Sequence, residues 1–362
     1  MFIIGEKMKR IMIYPNEHSD SNYYINNLTN ILKDQYTILG MCKEKDKGIK
    51  KLLNGDVYHF NWYESIDSTI YIGTLKNYIK RTILVNILKI NRKKIVWTVH
   101  NNQPHNLKYE RLDHKIMKFM ARKSDRIHIL CKDTINNNEY LQKYKNKIVY
   151  IPHGDYIGNY PKSNINIYER YNIPENKRIM LFIGQIRKYK NIEILIKAFK
   201  DSKLEDKEFI LLICGNCSDK EYKEELKKLS NENVLFDFNF IKNEEMEAYL
   251  RNSQIIVAPY DKKSSLNSGT LWMAMSYSRT MMLPLIGCVK DINNYDEYLY
   301  VYDYSNENDH DYNLLECMKK IKSDIEKNKN ILEEKGNKAN EYIVKNQAWK
   351  NKKKNWIDLY KF

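Results

Sequence analysis

The sequence predicts an α/β protein with parallel sheets, divided into two halves. Short apolar runs alternate with helical patterns along the whole chain, which is how strands and crossover helices read. Between Gly154 and Pro174 that alternation lapses into GDYIGNYPKSNINIYERYNIP, a stretch of turn formers with little periodicity. A chain of 362 residues is long enough for a separate core on each side of that break.

In the first half, strands are expected at Arg10–Tyr14, Tyr36–Leu39, Val57–Phe60, Lys94–Val99, Arg126–Leu130 and Ile148–Ile151. Helical patterns fall between them, including Tyr23–Lys33 and Ile116–Ser124. In the second half, strands are expected at Arg178–Ile183, Phe209–Cys214, Val234–Phe236, Gln254–Ala258 and Thr280–Leu283. Their helices fall at Asn191–Lys200, Lys220–Ser230, Asn243–Asn252 and Gly269–Ser276, and the tail from about Leu314 reads as helices. Open α/β sheets bind ligands at the carboxyl ends of their strands, so two such halves imply a cleft.

A net charge of +15 permits an anionic partner: nucleic acid, a membrane surface or a phosphorylated ligand. No nucleic-acid reader motif accompanies the basic residues, so nucleic acid is not expected as a partner. The six cysteines are scattered, and the lone CxxC at Cys214 and Cys217 has no second pair or histidine cluster beside it. No metal site is expected, and the thiols read as buried or incidental in a reducing cytoplasm. The first residues lack the length and cleavage site of a signal peptide, and no apolar run is long enough to span a membrane. Between Ser68 and Tyr109 there is no acidic residue. Lys76–Lys94 there mixes aliphatics with lysine and arginine, compatible with contact to an anionic membrane or with a helix packed on the sheet, its lysines solvated.

The most informative segment is MLFIGQIRKYKNIEILIKAF, residues 180–199. A strand ends at Gly184, a basic loop follows with Arg187 and Lys190, and a helix begins after it. That form suits a phosphate, because glycine lets the backbone approach and the helix start is positive. An arginine with a lysine suits a diphosphate better than a single phosphate. The same form is also that of an ordinary strand-to-helix connection. A second loop, DKKSSLNSGTLWMAMSYS after Tyr260, offers Asn267, Ser268, Gly269 and Thr270 at a helix start, either as an anion cradle or as a plain helix cap. Together the two loops fit a nucleotide diphosphate. In the first half, strand ends carry His59, Asn61 and Trp62, and then His100, Asn101 and His105. Aromatic and amide groups suit sugar faces and hydroxyls, and His100 is a candidate base, acid or hydrogen-bond partner.

Five segments, in order, resemble nucleotide-sugar glycosyltransferases of the GT-B fold, near glycosyltransferase family 4 and its capsule and exopolysaccharide relatives. They are DVYHFNWYE (56–64), IVWTVHNNQPHN (95–106), IPHGDY (151–156), FIGQIRKYKN (182–191) and APYDKKSSLNSGTLWMAM (258–275). Asn61, Asn106 and Gln185 stand where those relatives carry histidine, an acid and arginine; Ser265 and Met273 stand where family 4 carries two glutamates.

The resemblance implies two Rossmann-like domains with parallel sheets facing across a cleft. Residues 1–154 would bind the acceptor, 155–176 link, 177–340 bind the donor, and 341–362 form a helix packing back on the first domain. Donor contacts fall by carry-over on Gly184, Gln185, Arg187, Lys190, Gly215, Ile241, Glu245, Tyr260, Asn267, Ser268, Gly269 and Thr270. Glu244 or Glu245 is the candidate for the ribose in place of the missing glutamates. Acceptor contacts fall on Asn16, Ser19, Asn22, His59, Asn61, Trp62, Asn101 and His105, with His100, Arg187 and Lys190 in catalysis. The implied activity is metal-independent transfer of a hexose-type sugar from a nucleoside diphosphate to a saccharide, lipid-linked in surface glycan synthesis, retaining rather than inverting. No cofactor beyond the nucleotide sugar is implied, and the place is the cytoplasm or the inner face of the membrane. The alternatives are a sugar-nucleotide epimerase of the same fold and a catalytically silent binding subunit.

Overall fold

The computed structural model describes residues 8–15, 22–41, 52–66, 70–101, 109–262 and 264–362. The chain divides into two compact units, residues 1–154 with 347–362, and residues 155–346. The segment 155–176 lies within the second unit and contains a short helix, Ile167–Arg170.

The first unit is built on six parallel strands, β1 (Arg10–Tyr14), β2 (Thr37–Gly40), β3 (Val57–Asn61), β4 (Lys94–Val99), β5 (Arg126–Ile129) and β6 (Ile148–Tyr150). Their order is β2-β1-β3-β4-β5-β6. Helices α1 (Tyr23–Leu32), α2 (Tyr71–Ile90) and α3 (Glu110–Lys123) supply crossovers. One face of the sheet packs Phe60, Trp97 and Val99 against Val85, Leu88, Ile116 and Met120. The other face packs Ile11, Ile13, Val57 and Val96 against α1 and the chain's last helix (Trp349–Leu359), through Trp349, Trp356 and Tyr360. Tyr36 Oη donates to Ile357 O at 3.0 Å, and Lys353 pairs with Asp34 at 2.7 Å.

The second unit repeats the scheme with β7 (Arg178–Ile183), β8 (Phe209–Cys214), β9 (Val234–Asp237), β10 (Ile255–Val257), β11 (Thr280–Pro284) and β12 (Tyr300–Tyr302), in the order β12-β11-β10-β7-β8-β9. Its helices include α4 (Ile192–Asp201), α5 (Lys220–Leu229), α6 (Asn243–Asn252), α7 (Gly269–Ser276), α8 (Glu307–Lys327) and α9 (Ile331–Asn346). Phe182, Leu195, Phe199, Leu211 and Ile213 lie in the core between sheet and helices.

Both orders reverse once. In the first sheet the reversal lies between β1 and β3; in the second, between β7 and β10. At such a point neighbouring crossovers leave on opposite faces and open a crevice beyond the strand ends. β12 escapes the sequence reading because it is a three-residue edge strand in a tyrosine-rich stretch with no apolar run.

Candidate functional site

The second reversal point is where the two loops singled out in the sequence emerge. β7 ends at Ile183 and β10 at Val257, so residues 184–191 and 258–268 leave adjacent strands at the same end. They are tied together: Asn191 Nδ2 donates to Pro259 O at 2.9 Å. Asn191 sits in the left-handed region, φ 53°, which asparagine tolerates, and this turn redirects the chain into α4.

Glycine is needed at the first loop's base for a stated reason. Gly184 and Gly215 have φ of 143° and 148°, and a Cβ on Gly215 would lie 1.8 Å from Gly184 O. The ends of β7 and β8 thus meet backbone to backbone. Gly215→Ala is expected to lower the melting temperature by several degrees and displace the 184–191 loop, checked by thermal melting with and without nucleotide.

Tyr260 is the centre of the site. Its ring lies under the Lys190 ammonium, 4.2 Å from Nζ to centroid, and its hydroxyl is 2.9 Å from Ser268 Oγ. Its backbone oxygen accepts from Tyr304 Oη at 3.0 Å. Ser268 caps α7, accepting from Leu271 N at 3.1 Å, so Gly269 and Thr270 present first-turn N–H groups that no intrahelical acceptor reaches. Burial pushes Lys190 down to about 8. Among the described residues no carboxylate forms a salt bridge with it. A part-buried cation without an anion beside a helix N-terminus is a site for negative charge.

Arg187 is exposed, its Nε donating to Gln185 Oε1 at 3.1 Å, so both side chains stand at the loop's rim. Ile241 is buried in the loop after β9, and Asn267 is half-buried before the Ser268 cap. Glu245 requires a correction. Both its oxygens are taken by Arg170, at 3.0 and 3.2 Å, in a fork that clasps the Ile167–Arg170 helix to α6. It is occupied as a structural clasp, not held out for a ribose.

In the first unit the strand ends at the reversal point gather a second cluster. Trp62 has φ 49°, a strained value for a bulky residue, and its ring stacks on His100 at 3.8 Å and 15°. Asn61 Nδ2 donates to Tyr14 O at 3.1 Å, and Asn61 Oδ1 lies 3.1 Å from His100 Nε2. A carbonyl can only accept, so Tyr14 fixes the amide's orientation. The amide oxygen then requires the proton on His100 Nε2, leaving Nδ1 as the acceptor nitrogen. Burial first, then His128, His153 and His59, hold the His100 pKa well below the usual value. A neutral imidazole suits hydrogen bonding to a hydroxyl and is a poor proton donor near pH 7.

Three acceptor expectations are corrected here. His59 is fully buried, with Nδ1 2.7 Å from Tyr360 Oη and Nε2 2.6 Å from Thr98 Oγ1. Asn61 is also fully buried with its amide spent, so it orients His100. Asn22 caps α1, accepting from Ile25 N at 3.4 Å, and that task occupies its oxygen. Asn101 is half-buried directly after His100. Asn16, Ser19 and His105 lie outside the described residues.

Comparison with known proteins identifies the fold. Residues 164–264 match the family model of glycosyl transferases group 1, a segment that runs through Gly184, Lys190, Gly215 and Tyr260. The whole chain superposes on Anabaena Alr3699/HepE, solved in complex with UDP-glucose, with a TM-score of 0.71 at 10% identity, covering 97% of this chain and 99% of that one. The fold is GT-B. The sucrose-phosphate synthase of Thermosynechococcus elongatus shares it, with a TM-score of 0.71 at 12% identity and 98% of each chain covered. So does WaaG, a glycosyltransferase involved in lipopolysaccharide biosynthesis, with a TM-score of 0.62 at 13% identity, covering 98% of this chain and all of that one. No protein with a curated description matches the chain by sequence. In the GT-B frame the Lys190–Tyr260–Ser268 cluster belongs to the C-terminal unit and the Trp62–His100 cluster to the N-terminal unit.

Proposed function

We propose that this GT-B protein is a nucleotide-sugar glycosyltransferase, moving a hexose-type sugar from a nucleoside diphosphate to a saccharide acceptor. The observation that carries the reading is Lys190: a part-buried ammonium with a depressed pKa, seated on Tyr260 beside the Ser268-capped start of α7. A diphosphate gains charge as it leaves, and a preorganised lysine, an arginine and helix N–H groups stabilise that charge without a divalent ion. The Trp62–His100 pair offers a ring face and a neutral imidazole to an acceptor sugar. Because His100 is a weak base here, the acceptor proton passes more readily to a departing phosphate oxygen than to the imidazole, which favours retention. The acceptor proposed is lipid-linked, in capsule, exopolysaccharide or other surface glycan synthesis. No helix among the described residues is long and apolar enough to cross a membrane.

The reading is tested by acceptor-dependent release of UDP from UDP-sugars, after a thermal-shift panel of nucleotide sugars has selected the donor. Arg187→Ala is expected to weaken UDP binding about tenfold, as loss of a charge-assisted contact at a rim. His100→Ala is expected to leave UDP affinity within about twofold while turnover falls at least about a hundredfold. Unchanged UDP affinity in both Arg187→Ala and Lys190→Met removes the diphosphate assignment. Wild-type turnover in His100→Ala removes His100 from the reaction.

A further inference from the structure

Helix α2 (Tyr71–Ile90) has two apolar faces, and the fold uses one. Thr74, Val85 and Leu88 are buried toward the sheet, with Leu75, Tyr78 and Leu84 packed beside them. Opposite them, at spacings of seven, four and seven, stand Ile72, Ile79, Ile83 and Ile90, with exposures of 72, 45, 53 and 80%. Those spacings bring all four onto one line, because 3.6 residues make a turn. The line is about 27 Å long at a rise of about 1.5 Å per residue. Of the other exposed large hydrophobic residues described, Ile70 and Tyr71 adjoin Ile72 at the helix start, while Met8, Ile157, Leu229, Phe240, Tyr312, Val344 and Phe362 are spread singly over the chain. The α2 line is the one place where they align, and aligned exposed isoleucines mark a contact surface where scattered ones do not.

The charges beside the line decide the occupant. Lys76 and Lys80 are exposed on the same side, and α2 contains no acidic residue along its 20 residues. Lys93, Arg92 and Lys94 continue the positive charge past its end. A second copy of this helix would bring lysine against lysine, which repels. A flat anionic surface instead accepts the isoleucines into its apolar boundary and the lysines among its headgroups.

We infer that the Ile72–Ile90 face of α2 lies on an anionic lipid bilayer, parallel to its plane, while the opposite face stays packed on the N-terminal sheet. The crossover from β3 brings the start of α2 to the end of the sheet where Trp62 and His100 stand, so the bilayer and the acceptor cluster meet the same edge of the unit. This specifies how the lipid-linked acceptor proposed above is reached, and its test does not depend on catalysis.

The test is co-sedimentation of the full chain with vesicles of phosphatidylcholine alone, or with about a third phosphatidylglycerol. Binding is expected to the anionic vesicles, to fall steeply at about 0.5 M salt, and to drop at least about tenfold in the double variant Ile79→Ser with Ile83→Ser. Lys76→Glu with Lys80→Glu is expected to lose it likewise. Both isoleucines are exposed, so the melting temperature and the UDP-induced shift should match wild type, which separates this surface from the donor site. Three results overturn the inference: no binding to anionic vesicles, equal binding by the isoleucine variant, or a dimer in sedimentation velocity that this variant abolishes.

Discussion

Lowering the pH from about 7.5 to about 5 is expected to destabilise the N-terminal unit more than the C-terminal one. Four buried histidines there are held neutral by the fold: His59 and His100 well below their usual pKa, His128 and His153 down to about 4, with desolvation the largest cause in each. An unfolded histidine takes its proton near pH 6.5, so between there and about 4 the unfolded state binds more protons than the folded one. Stability is therefore fully present above about 6.5 and falls with pH, by about 2 kcal/mol each at pH 5 for His128 and His153. Together these two give about 4 kcal/mol, and His59 and His100 act in the same direction. Glu64 works the other way: burial raises its carboxyl to about 7, so its stabilising contribution is complete in acid and lost as pH rises through 7. It returns about 2 kcal/mol over the same interval, so His128 and His153 alone leave a net loss of about 2 kcal/mol, to which His59 and His100 add. Near-UV circular dichroism and tryptophan fluorescence report it well, because Trp62, Trp97, Trp349 and Trp356 all lie in the N-terminal unit. His128→Gln should flatten the dependence by about one proton. A melting temperature unchanged between the two pH values would falsify the account.

The same histidines show where reading a sequence reaches its limit. Residues 178–201 were legible almost to the residue, because strand, glycine and helix are local patterns and the loop's chemistry follows from its letters. His59 was not. It lies at a strand position that reads equally as cleft-facing or buried, and its partner Tyr360 stands 301 residues away on a segment docked to that face. Glu245 failed similarly: its partner Arg170 is 75 residues upstream, in a stretch that reads as a linker. Period-2 alternation gives a side chain's parity along a strand, while what covers that face is a property of topology. Tyr260 sits between the two kinds. Its place after β10 was readable; its seat under Lys190 and against Ser268 depends on β10 pairing with β7, a neighbour in space and not in sequence.

Replacing Lys190 with methionine is expected to stabilise the free protein and to abolish most nucleotide-diphosphate binding. Lysine in the unfolded chain has a pKa near 10.5, and burial lowers it to about 8 in the fold. Below about pH 8 the fold therefore carries the full cost of desolvating an ammonium, and that cost is relieved as pH rises from about 8 to 10.5. The shift corresponds to about 3 kcal/mol at most, and partial exposure of the side chain brings the expected gain for Lys190→Met to roughly 1–3 kcal/mol at pH 7. Methionine keeps the length and the apolar contact with Tyr260, so packing is conserved. The gain should shrink toward zero near pH 10, which an ordinary packing improvement would not do. Binding moves oppositely. A diphosphate beside Nζ favours the charged lysine and raises its pKa, so above about pH 8 binding takes up a proton and affinity drops up to about tenfold per pH unit. Calorimetry of UDP binding in two buffers of different ionisation enthalpy counts that proton. Lys190→Met should lose about ten- to a hundredfold in affinity at pH 7, the worth of one charge-assisted contact, and lose the pH dependence with it. A variant that binds UDP as tightly as wild type, or whose melting temperature falls at pH 7, removes Lys190 from the anion site. A stabilised variant that no longer binds identifies the strained lysine as the group that the leaving diphosphate relieves.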